Sequence, residues 1–453
     1  MIIAEVLGRW SGGARRTPRR TVWLLAVVYG LTIANLYYCQ PLLPQMARSY
    51  AASSVGYLPT VGQVGYALAL VLVVPLGDIV RRRPLVCLLL LAETAALAAT
   101  ATAPTAGVVL LAGTVIGLAS AGVVNILVPY AATVAADHER GRAVATMLSG
   151  GLAGILLSRT VAGLTAEVFG WRALYLAAAA GTLLLTAALA RVMPPSAAEV
   201  PIGYAAQLRA TLRLATSEPM LRRRSLIGAC VFGAFGVFWT TVAFMLAGPP
   251  YRFGEAEIGL FTLVGVAGAF AAKVAGRAAD RGRQRASTGV LLVAGAVSFG
   301  ATAAGSHGLA WLIAGLLVLD VAVHGTHLLN MSVVYGLVDG ARSRVASVYM
   351  TFYTLGGVAG SAAGAVAYRS GGWGAVSATG AAFMAAGLAA WAGEAREGRV
   401  GEARRGRVGE ARRGRVGEAR GGRVPGRASA APRPGLFRGG GPRGRRGRGG
   451  AGR

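Results

Sequence analysis

The chain has 453 residues, of which 54% are hydrophobic and only 14% are charged, against about 25% charged residues in ordinary soluble domains. Its formal net charge of +28 comes from 46 basic and 18 acidic residues, and 18 of the arginines fall within residues 394–453. This composition argues against a soluble globular protein and a soluble nucleic-acid binder, because the basic residues decorate the loops and tail of a hydrophobic chain. Three cysteines in apolar runs provide neither a disulfide framework nor a zinc site.

Twelve apolar stretches approach the roughly 20 residues that a bilayer-spanning helix needs. The first is too long for the apolar region of a signal peptide and is expected to be retained. The longest internal joint, 194–224, contains a polar stretch at 204–215 that can lie on the membrane surface as an amphipathic helix. The predicted spans are 22–43, 57–77, 84–103, 107–133, 143–165, 173–193, 225–247, 257–278, 286–306, 309–331, 345–368 and 374–392.

The distribution of arginine and lysine predicts the orientation, because cytoplasmic loops of membrane proteins carry an excess of these residues. With the amino terminus in the cytoplasm, 23 basic residues before position 394 are cytoplasmic and four are external, while Arg159 lies within a span. Both termini are therefore expected to be cytoplasmic. The predicted segments are an amino-terminal segment (1–21), a first six-helix bundle (22–193), a central loop (194–224), a second bundle (225–392) and a tail (393–453).

The two bundles are related by a repeat of 202 residues. At this offset Asp78 aligns with Asp280, Asp137 with Asp339, and Trp171 with Trp373, together with several arginines. Chance alignment of arginines at membrane edges is the alternative, but the aspartate and tryptophan matches share the same register. Six helices per copy is an even number, so the copies are parallel repeats, which is typical of transporters that rock two halves around a central site.

Several motifs resemble the major facilitator superfamily. Residues 276–283 read GRAADRGR, similar to the loop signature G-x-x-x-D-R-x-G/R of that family, and residues 76–83 keep the acidic and basic positions. Residues 35–43 read NLYYCQPLL, which is similar to the N-x-Y-Y-x-Q-P-L-L opening of bacterial sugar- or drug-efflux-like permeases. The resemblance covers about 20–393 and implies an all-α membrane protein of twelve transmembrane helices in two six-helix parallel repeats.

Two features of drug/proton antiporters in that family are missing from this sequence. Helix 4 carries no arginine in residues 113–122, and no proline follows Gly154 in helix 5. Both features usually mark proton-coupled efflux, so the direction of transport stays open.

Predicted helix 10 carries the clearest candidate for proton chemistry. Asp320 lies well inside the span, with His324 and His327 on the same helix face at i+4 and i+7, and Asn330 near the cytoplasmic end. A carboxylate one turn from imidazoles can hold or pass a proton near neutral pH, and a charge in a span is a functional candidate by default. The resemblance implies that helix 10 lines the central cavity. The alternatives are a structural pair for Asp320 and histidines bonded to backbone.

The other intramembrane candidates are a basic residue, an acidic residue and a set of polar and aromatic side chains that we call the polar wall of the solute site. Arg159 is expected to pair with Asp320 or an anionic group of a solute, or else to extend to the outer interface. Glu93, on a helix that is peripheral in the family, is a buried structural acid or a protonated one. The wall would bind an amphipathic ligand through hydrogen bonds and aromatic surface, with packing against lipid as the alternative. Its predicted members are Asn35, Tyr37, Tyr38, Gln40, Asn125, Trp239 and Thr240.

The loops between helices 2 and 3 and between helices 8 and 9 are predicted to form gates at the cytoplasmic rim. Carboxylates there can cap helix ends and pair with arginines in one state of the protein and release them in another. Charges that only set the topology are the alternative. The predicted gating residues are Asp78, Arg81, Arg83, Asp280, Arg281 and Arg283.

The tail begins with an octad repeat, GEAR(x)GRV, over 393–424 and continues as an Arg/Gly/Pro-rich sequence. The tail has too few apolar residues to form a core and is therefore expected to be disordered. Two interpretations of its role stay open. Its arginines attract anionic lipids, or it is a repeat expansion without a role in transport.

These observations predict a secondary transporter for a small organic solute that works by alternating access in the plasma (cell inner) membrane, with proton-coupled efflux favoured by the resemblance. The alternatives are proton-coupled uptake and a non-transporting membrane sensor on the same fold. No nucleophile, metal or nucleotide motif indicates an enzyme, and no cofactor, metal or nucleic-acid partner is expected. The expected partners are a solute, protons and the lipid bilayer, and the protein is treated as a monomer with its oligomeric state left open.

Overall fold

The computed structural model describes residues 19–50, 52–194, 203–267, 283–337 and 342–421, and in these ranges every regular element is a helix. Short 3-10 turns lie at Asp137–Glu139, Thr262–Ala267 and Ala304–Ser306. The helices of the first half are α1 (Arg19–Tyr37), α2 (Cys39–Ser49), α3 (Ala52–Val55), α4 (Leu58–Leu72), α5 (Leu76–Ile79), α6 (Arg82–Ala101), α7 (Ala106–Val134), α8 (Arg140–Phe169) and α9 (Trp171–Val192). The helices that follow are α10 (Tyr204–Ser217), α11 (Pro219–Ala247), α12 (Glu255–Phe261), α13 (Gln284–Ala303), α14 (Leu309–Val334) and α15 (Arg342–Gly421).

Nine helices of the described residues are long and apolar enough to cross a membrane. One of them, Arg344–Gly393, contains the two last predicted spans, which a break at Gly371 and Gly372 separates. Helix α4 is apolar but shorter, and the predicted span 257–278 is described only as far as residue 267. These elements account for the twelve predicted spans as an all-α membrane fold.

The first predicted span, 22–43, is divided into two helices at Tyr38. Pro41 lacks a backbone N–H, and its ring would clash with the carbonyl of Tyr37 in a continuous helix. The chain therefore makes a turn at Tyr38 before α2 begins at Cys39. The second span is also shorter than predicted, because α4 ends at Leu72 and a turn leads to Pro75 and α5.

The outer surface of the bundle is apolar over its membrane-spanning part. Large side chains such as Leu184, Leu111, Val290 and Val297 are between 68% and 71% exposed. An apolar surface of this extent is unfavourable in water, whereas lipid chains are its matching solvent.

Helices within each half approach closely at glycines. A Cβ atom added at Gly154 of α8 would lie 2.8 Å from the carbonyl carbon of Gly30 of α1. In the second half, a Cβ atom added at Gly356 of α15 would lie 2.5 Å from the carbonyl carbon of Ala229 of α11. Gly154 and Gly356 are separated by the repeat length of 202 residues. Small residues at helix crossings allow the backbone contact that drives packing in lipid.

The repeat is also visible in the backbone. Gly170 has φ 81° and ψ 157°, and Gly372 has φ 60° and ψ −152°, and these are the positive-φ glycines of the described residues. Both values fall in a region that is essentially restricted to glycine. Each glycine precedes the tryptophan that starts the last helix of its half, so the same backbone break recurs after 202 residues.

The tail differs from the sequence-based expectation where the structure describes it. The last helix continues as far as Gly421, and residues 422–453 lie outside the described residues. Ala, Glu and Arg are strong helix formers, which favours helix over the octad repeat. Residues 396–453 form a unit separate from the compact unit that ends at Ala395.

Candidate functional site

A cavity of about 440 Å³ lies between the two halves of the bundle. Helices α1, α4, α7 and α8 line it from the first half, and α11, α14 and α15 line it from the second half. Its volume lies within the roughly 300–1,000 Å³ of pockets that bind small organic molecules. The predicted site residues Arg159, Trp239, Asp320, His324 and His327 all contribute to its wall.

Arg159 is the cation of this cavity and is only 4% exposed. Its guanidinium lies 4.9 Å from the ring centre of Tyr37 and 4.1 Å from that of Trp239, and its Nε donates a 2.7 Å hydrogen bond to Oε1 of Gln40. Tyr37 and Gln40 are three residues apart, and Tyr38 between them has helical dihedrals, so the two side chains lie on one face and both reach Arg159. Two aromatic faces and one amide thus hold a buried charge without neutralising it.

Asp320 is the acidic residue of the same cavity and is 1% exposed. Its Oδ1 has no hydrogen-bond partner, and in the described ranges no basic group lies within ion-pair distance of the carboxylate. Arg159 acts on it electrostatically from across the cavity wall. The 3-10 turn after α12 covers the carboxyl group through Gly265, where an added Cβ would lie 3.1 Å from Oδ2. A buried, incompletely paired carboxyl group is costly as an anion and is stabilised by a proton or a ligand.

Two histidines continue from Asp320 along the cavity face of α14. The Nδ1 atom of His324 lies 2.9 Å from the backbone oxygen of Asp320, so this nitrogen carries a proton and Nε2 stays available. The Nδ1 atom of His327 lies 3.2 Å from the hydroxyl of Tyr349. The helix therefore presents three groups that can exchange protons, spaced by about one turn each.

An aromatic wall faces the histidines from α11 and α15. The ring of Phe235 packs edge-on against His324 at 5.8 Å, and Phe232 stacks on Tyr353 at 4.2 Å. Together with Trp239 these rings give the cavity an apolar surface that directly adjoins the charged and imidazole groups, since Trp239 contacts Arg159 and Phe235 contacts His324. This combination suits an amphipathic solute.

Several predicted site residues lie away from this cavity. Asn35 points into the first half and donates to Glu93, and Tyr38 is buried in the core of that half. Asn330 is fully buried and exchanges hydrogen bonds with Arg224. Asn125 donates to the hydroxyl of Tyr66, which lines the cavity.

The sequence analysis left out several cavity residues that the structure supplies. Tyr29, Gln63 and Tyr66 contribute from the first half, beside the predicted Tyr37 and the aromatic wall of the second half. Gln63 and Tyr66 are polar or aromatic side chains three residues apart in an otherwise apolar helix. This spacing places them on one helix face, and it is the sequence feature from which they could have been predicted as cavity residues.

The predicted gating loops are only partly described. The side chain of Asp78 and residues Asp280 and Arg281 lie outside the described part of the chain, and Arg81 and Arg283 are exposed. Arg83 donates to the backbone oxygen of Ala190. The structure adds Arg82, which is 4% exposed and whose Nε donates to the oxygen of Gly77. The buried basic side chain of the first loop is therefore Arg82.

The two halves meet closely at one end of the bundle, which we call the closed end and define by Arg48, Gly163, Glu167, Glu255 and Gly259. Arg48 and Glu255 form an ion pair at 3.5 Å, and Glu167 accepts a 2.8 Å hydrogen bond from the backbone N–H of Ala256. A Cβ atom added at Gly163 of α8 would lie 3.0 Å from Cα of Gly259 of α12. Backbone thus packs on backbone between the halves at this end.

Comparison with known proteins decides the family. Residues 25–361, more than half of the chain, match the Major Facilitator Superfamily. The chain belongs to this superfamily. An uncharacterized transporter, YgaY, of Escherichia coli O157:H7 is 40% identical over 360 residues, which cover 79% of this chain and 91% of that protein. A protein of Streptomyces coelicolor that bears the name "Probable transporter" is 33% identical over 84% of this chain and 88% of its own.

Solved structures of major facilitator proteins share the fold. A bacterial homolog of the human lysosomal transporter Spinster, inward-facing and occupied, has a TM-score of 0.67 at 14% identity and covers 85% of this chain and 98% of its own. A mutant form of the nucleoside transporter NupG has a TM-score of 0.65 at 13% identity and covers 82% of this chain and 98% of its own. The family match and the names of the similar proteins indicate a major facilitator transporter and not an enzyme.

Proposed function

We propose that this major facilitator transporter moves a small amphipathic organic solute across the cell inner membrane, coupled to protons, in the direction of efflux. The observation that supports the proposal best is Asp320, a buried carboxyl group that faces a solute-sized cavity with one oxygen unpartnered. A group of this kind binds either a proton or a solute more readily than it remains a free anion. Competition between the two for one site is a direct means of coupling their movements.

The orientation follows from the arginine distribution. With both termini in the cytoplasm, the closed end faces outward and the histidines of α14 run from Asp320 toward the cytoplasmic side. The structure then represents a state that is sealed to the outside. Proton release through His324 and His327 toward the cytoplasm fits efflux driven by an inward proton gradient.

The solute is proposed to carry a polar or anionic group that reaches Arg159 and an apolar body that contacts Phe235 and Trp239. The guanidinium has its Nε bonded to Gln40, which leaves the remaining N–H groups for a ligand or for Asp320. Arg159 therefore contributes charge recognition, while the aromatic wall contributes area.

The test is transport into vesicles that contain the purified protein, with an imposed pH gradient and a panel of labelled amphipathic solutes. Asp320→Asn is expected to abolish accumulation driven by the gradient, because an amide at this position binds no proton that can exchange with the solute. Glu257→Gln, a change of an exposed acid at the closed end, is the matched control and should behave as wild type.

Full gradient-driven transport by Asp320→Asn would overturn the assignment of the proton site. Accumulation on the side opposite to that expected for efflux would establish uptake. A protein that is folded and reconstituted but moves no member of a broad panel would favour the sensor alternative.

A further inference from the structure

A second buried acid lies outside the central cavity, within the first half. Glu93 of α6 is 0% exposed, and its Oε1 accepts hydrogen bonds of 3.0 Å from Nδ2 of Asn35 and 3.0 Å from Oγ of Ser120. Nδ2 of Asn35 also lies 3.2 Å from the hydroxyl of Thr182. Helices α1, α6, α7 and α9 thus meet at one carboxyl group.

The groups around Glu93 offer no compensating charge. The hydroxyl of Ser120 also reaches the backbone oxygen of Thr32, and Tyr38, between α1 and α2, is a titratable side chain that interacts electrostatically with Glu93. The side chains from α7 and α9 are uncharged hydroxyls, and no basic residue of the described chain forms an ion pair with this carboxyl group. A buried carboxylate without a cation is strongly disfavoured relative to the neutral acid.

Two unpartnered atoms indicate where the proton lies. Oε2 of Glu93 and Oδ1 of Asn35 are both buried without a hydrogen-bond partner, while the other atoms of the same two groups already share a bond. As an anion, Glu93 provides only acceptors, so both atoms stay unsatisfied. A proton on Oε2 supplies the missing donor, and a carboxylic acid and an amide can then share two parallel hydrogen bonds.

The second half shows that the fold itself does not require this polar cluster. At the repeat length of 202 residues, Glu93 corresponds to Gly295, Ser120 to Ala322, Asn35 to Val237 and Thr182 to Met384. These apolar residues occupy the equivalent junction, where a Cβ atom added at Gly295 would lie 2.9 Å from Met384 and 3.3 Å from Ala322. One half therefore packs the same crossing with apolar atoms, and the polar version in the other half is a specific addition.

A small cavity lies between this cluster and the central cavity, with Asn35 in its wall on one side and residues of the central cavity on the other. Its volume of about 30 Å³ is enough for one water molecule. Polar side chains in its wall include Asn35, the partner of Glu93, and Gln40, the partner of Arg159, and Gln63 lines both this cavity and the central one. Water held there can accept the proton of Glu93 when the Asn35 side chain turns aside, because an amide does not itself pass a proton on, and can then release it to the central cavity.

We propose that Glu93 is a proton-binding site of the first half, whose carboxyl group holds a proton shared with Asn35 and exchanges it with the central cavity through the water-sized cavity lined by Gln40 and Gln63. The site is separate from Asp320, and the inference needs neither a known solute nor the direction of transport. It places one protonatable carboxyl group in each half.

The test is infrared spectroscopy of the full chain in lipid nanodiscs, where a protonated carboxyl group gives its own C=O stretching band. We expect a band at neutral pH that is lost in Glu93→Gln, stays in Asp320→Asn, and changes frequency in Asn35→Ala because its hydrogen-bond partner is gone. The Asn35 variant keeps the assignment testable if Glu93→Gln fails to fold. Identical spectra for wild type and these Glu93 and Asn35 variants would overturn the proposal.

The exchange route is tested by the rate at which the band shifts after transfer to D₂O. A Cβ atom added at Gly62 would extend into the small cavity at an ordinary 3.4 Å from Leu36, so Gly62→Ala should fill much of it without disturbing the fold. We expect exchange to slow by about tenfold, because it then requires local opening of the helices. Gly181→Ala, whose Cβ would lie 3.8 Å from Leu31 away from this cavity, is the matched control. Equal exchange rates in the two variants would overturn the route.

Discussion

The contact at Gly163 provides a direct test of how the two halves move. A Cβ atom at this position would lie 3.0 Å from Cα of Gly259 and 3.1 Å from the carbonyl carbon of Glu255, whereas carbon atoms prefer about 3.5–4.0 Å. The overlap is with backbone atoms of the other half, so no side-chain rotation relieves it. Gly163→Ala should therefore destabilise the closed end.

The expected size of the effect follows from overpacking, which costs about 1–3 kcal/mol in a tightly packed core. At about 1.4 kcal/mol per factor of ten, this cost shifts the equilibrium toward the state with separated halves by roughly 5- to 150-fold. The shift is large enough to change which state predominates when the two differ by a few kcal/mol.

The assay is the distance between spin labels at Phe169 and Leu260, which are exposed on opposite halves near the closed end, in a variant without the native cysteines. Gly163→Ala should add or enlarge a long-distance population. Gly154→Ala is the matched control on the same helix, because its added Cβ would contact Gly30 within one half. It should lower the unfolding temperature without a longer distance. If Gly163→Ala behaves in the same way as this control, the closed end absorbs the methyl group locally and the reasoning fails.

Three further outcomes test the backbone at Gly170, the contact of Gln40 with Arg159, and the tail. Gly170→Ala should destabilise the protein by about 1–3 kcal/mol, because its φ and ψ are restricted to glycine, and thermal unfolding should show no such loss for the exposed, helical Gly374→Ala. Gln40→Leu should preserve the unfolding temperature but reduce solute transport in vesicles, since the guanidinium of Arg159 loses the hydrogen bond that holds its Nε; unaltered transport would contradict this role of Gln40. Deletion of 394–453 should leave transport intact, and an inactive but folded truncation would show that the tail contributes.

The sequence was sufficient for the fold because the signals for a membrane helix are strong and local. Helix α6, for example, runs from Arg82 to Ala101 where the sequence predicted 84–103. The differences arise at prolines and glycines inside apolar runs, as at Pro41 and Pro75, where composition still indicates a membrane span but the backbone cannot remain helical. A hydropathy pattern does not register such breaks.

The candidate site was harder to predict, because a helix that is apolar on all sides does not reveal which face meets the cavity. On α14 the charged and imidazole groups share one face, so Asp320 and its histidines could be chosen together. On the first span the sequence pointed to Asn35, Tyr37, Tyr38 and Gln40 without separating them. The structure brings Tyr37 and Gln40 to Arg159 and places Asn35 against Glu93. That choice depends on three-dimensional packing between helices far apart in the chain.

The two rings that hold Arg159 are related by the repeat, since Tyr37 and Trp239 are 202 residues apart. The position of Arg159 itself corresponds to Ser361, so only one copy supplies a charge. A single cation carried by the first half therefore sits between two aromatic rings that the repeat relates, one from each half. The duplication has kept the aromatic pair, whereas the charge between the rings is present in one copy alone, so the two walls of this cavity are chemically unequal although their framework is repeated.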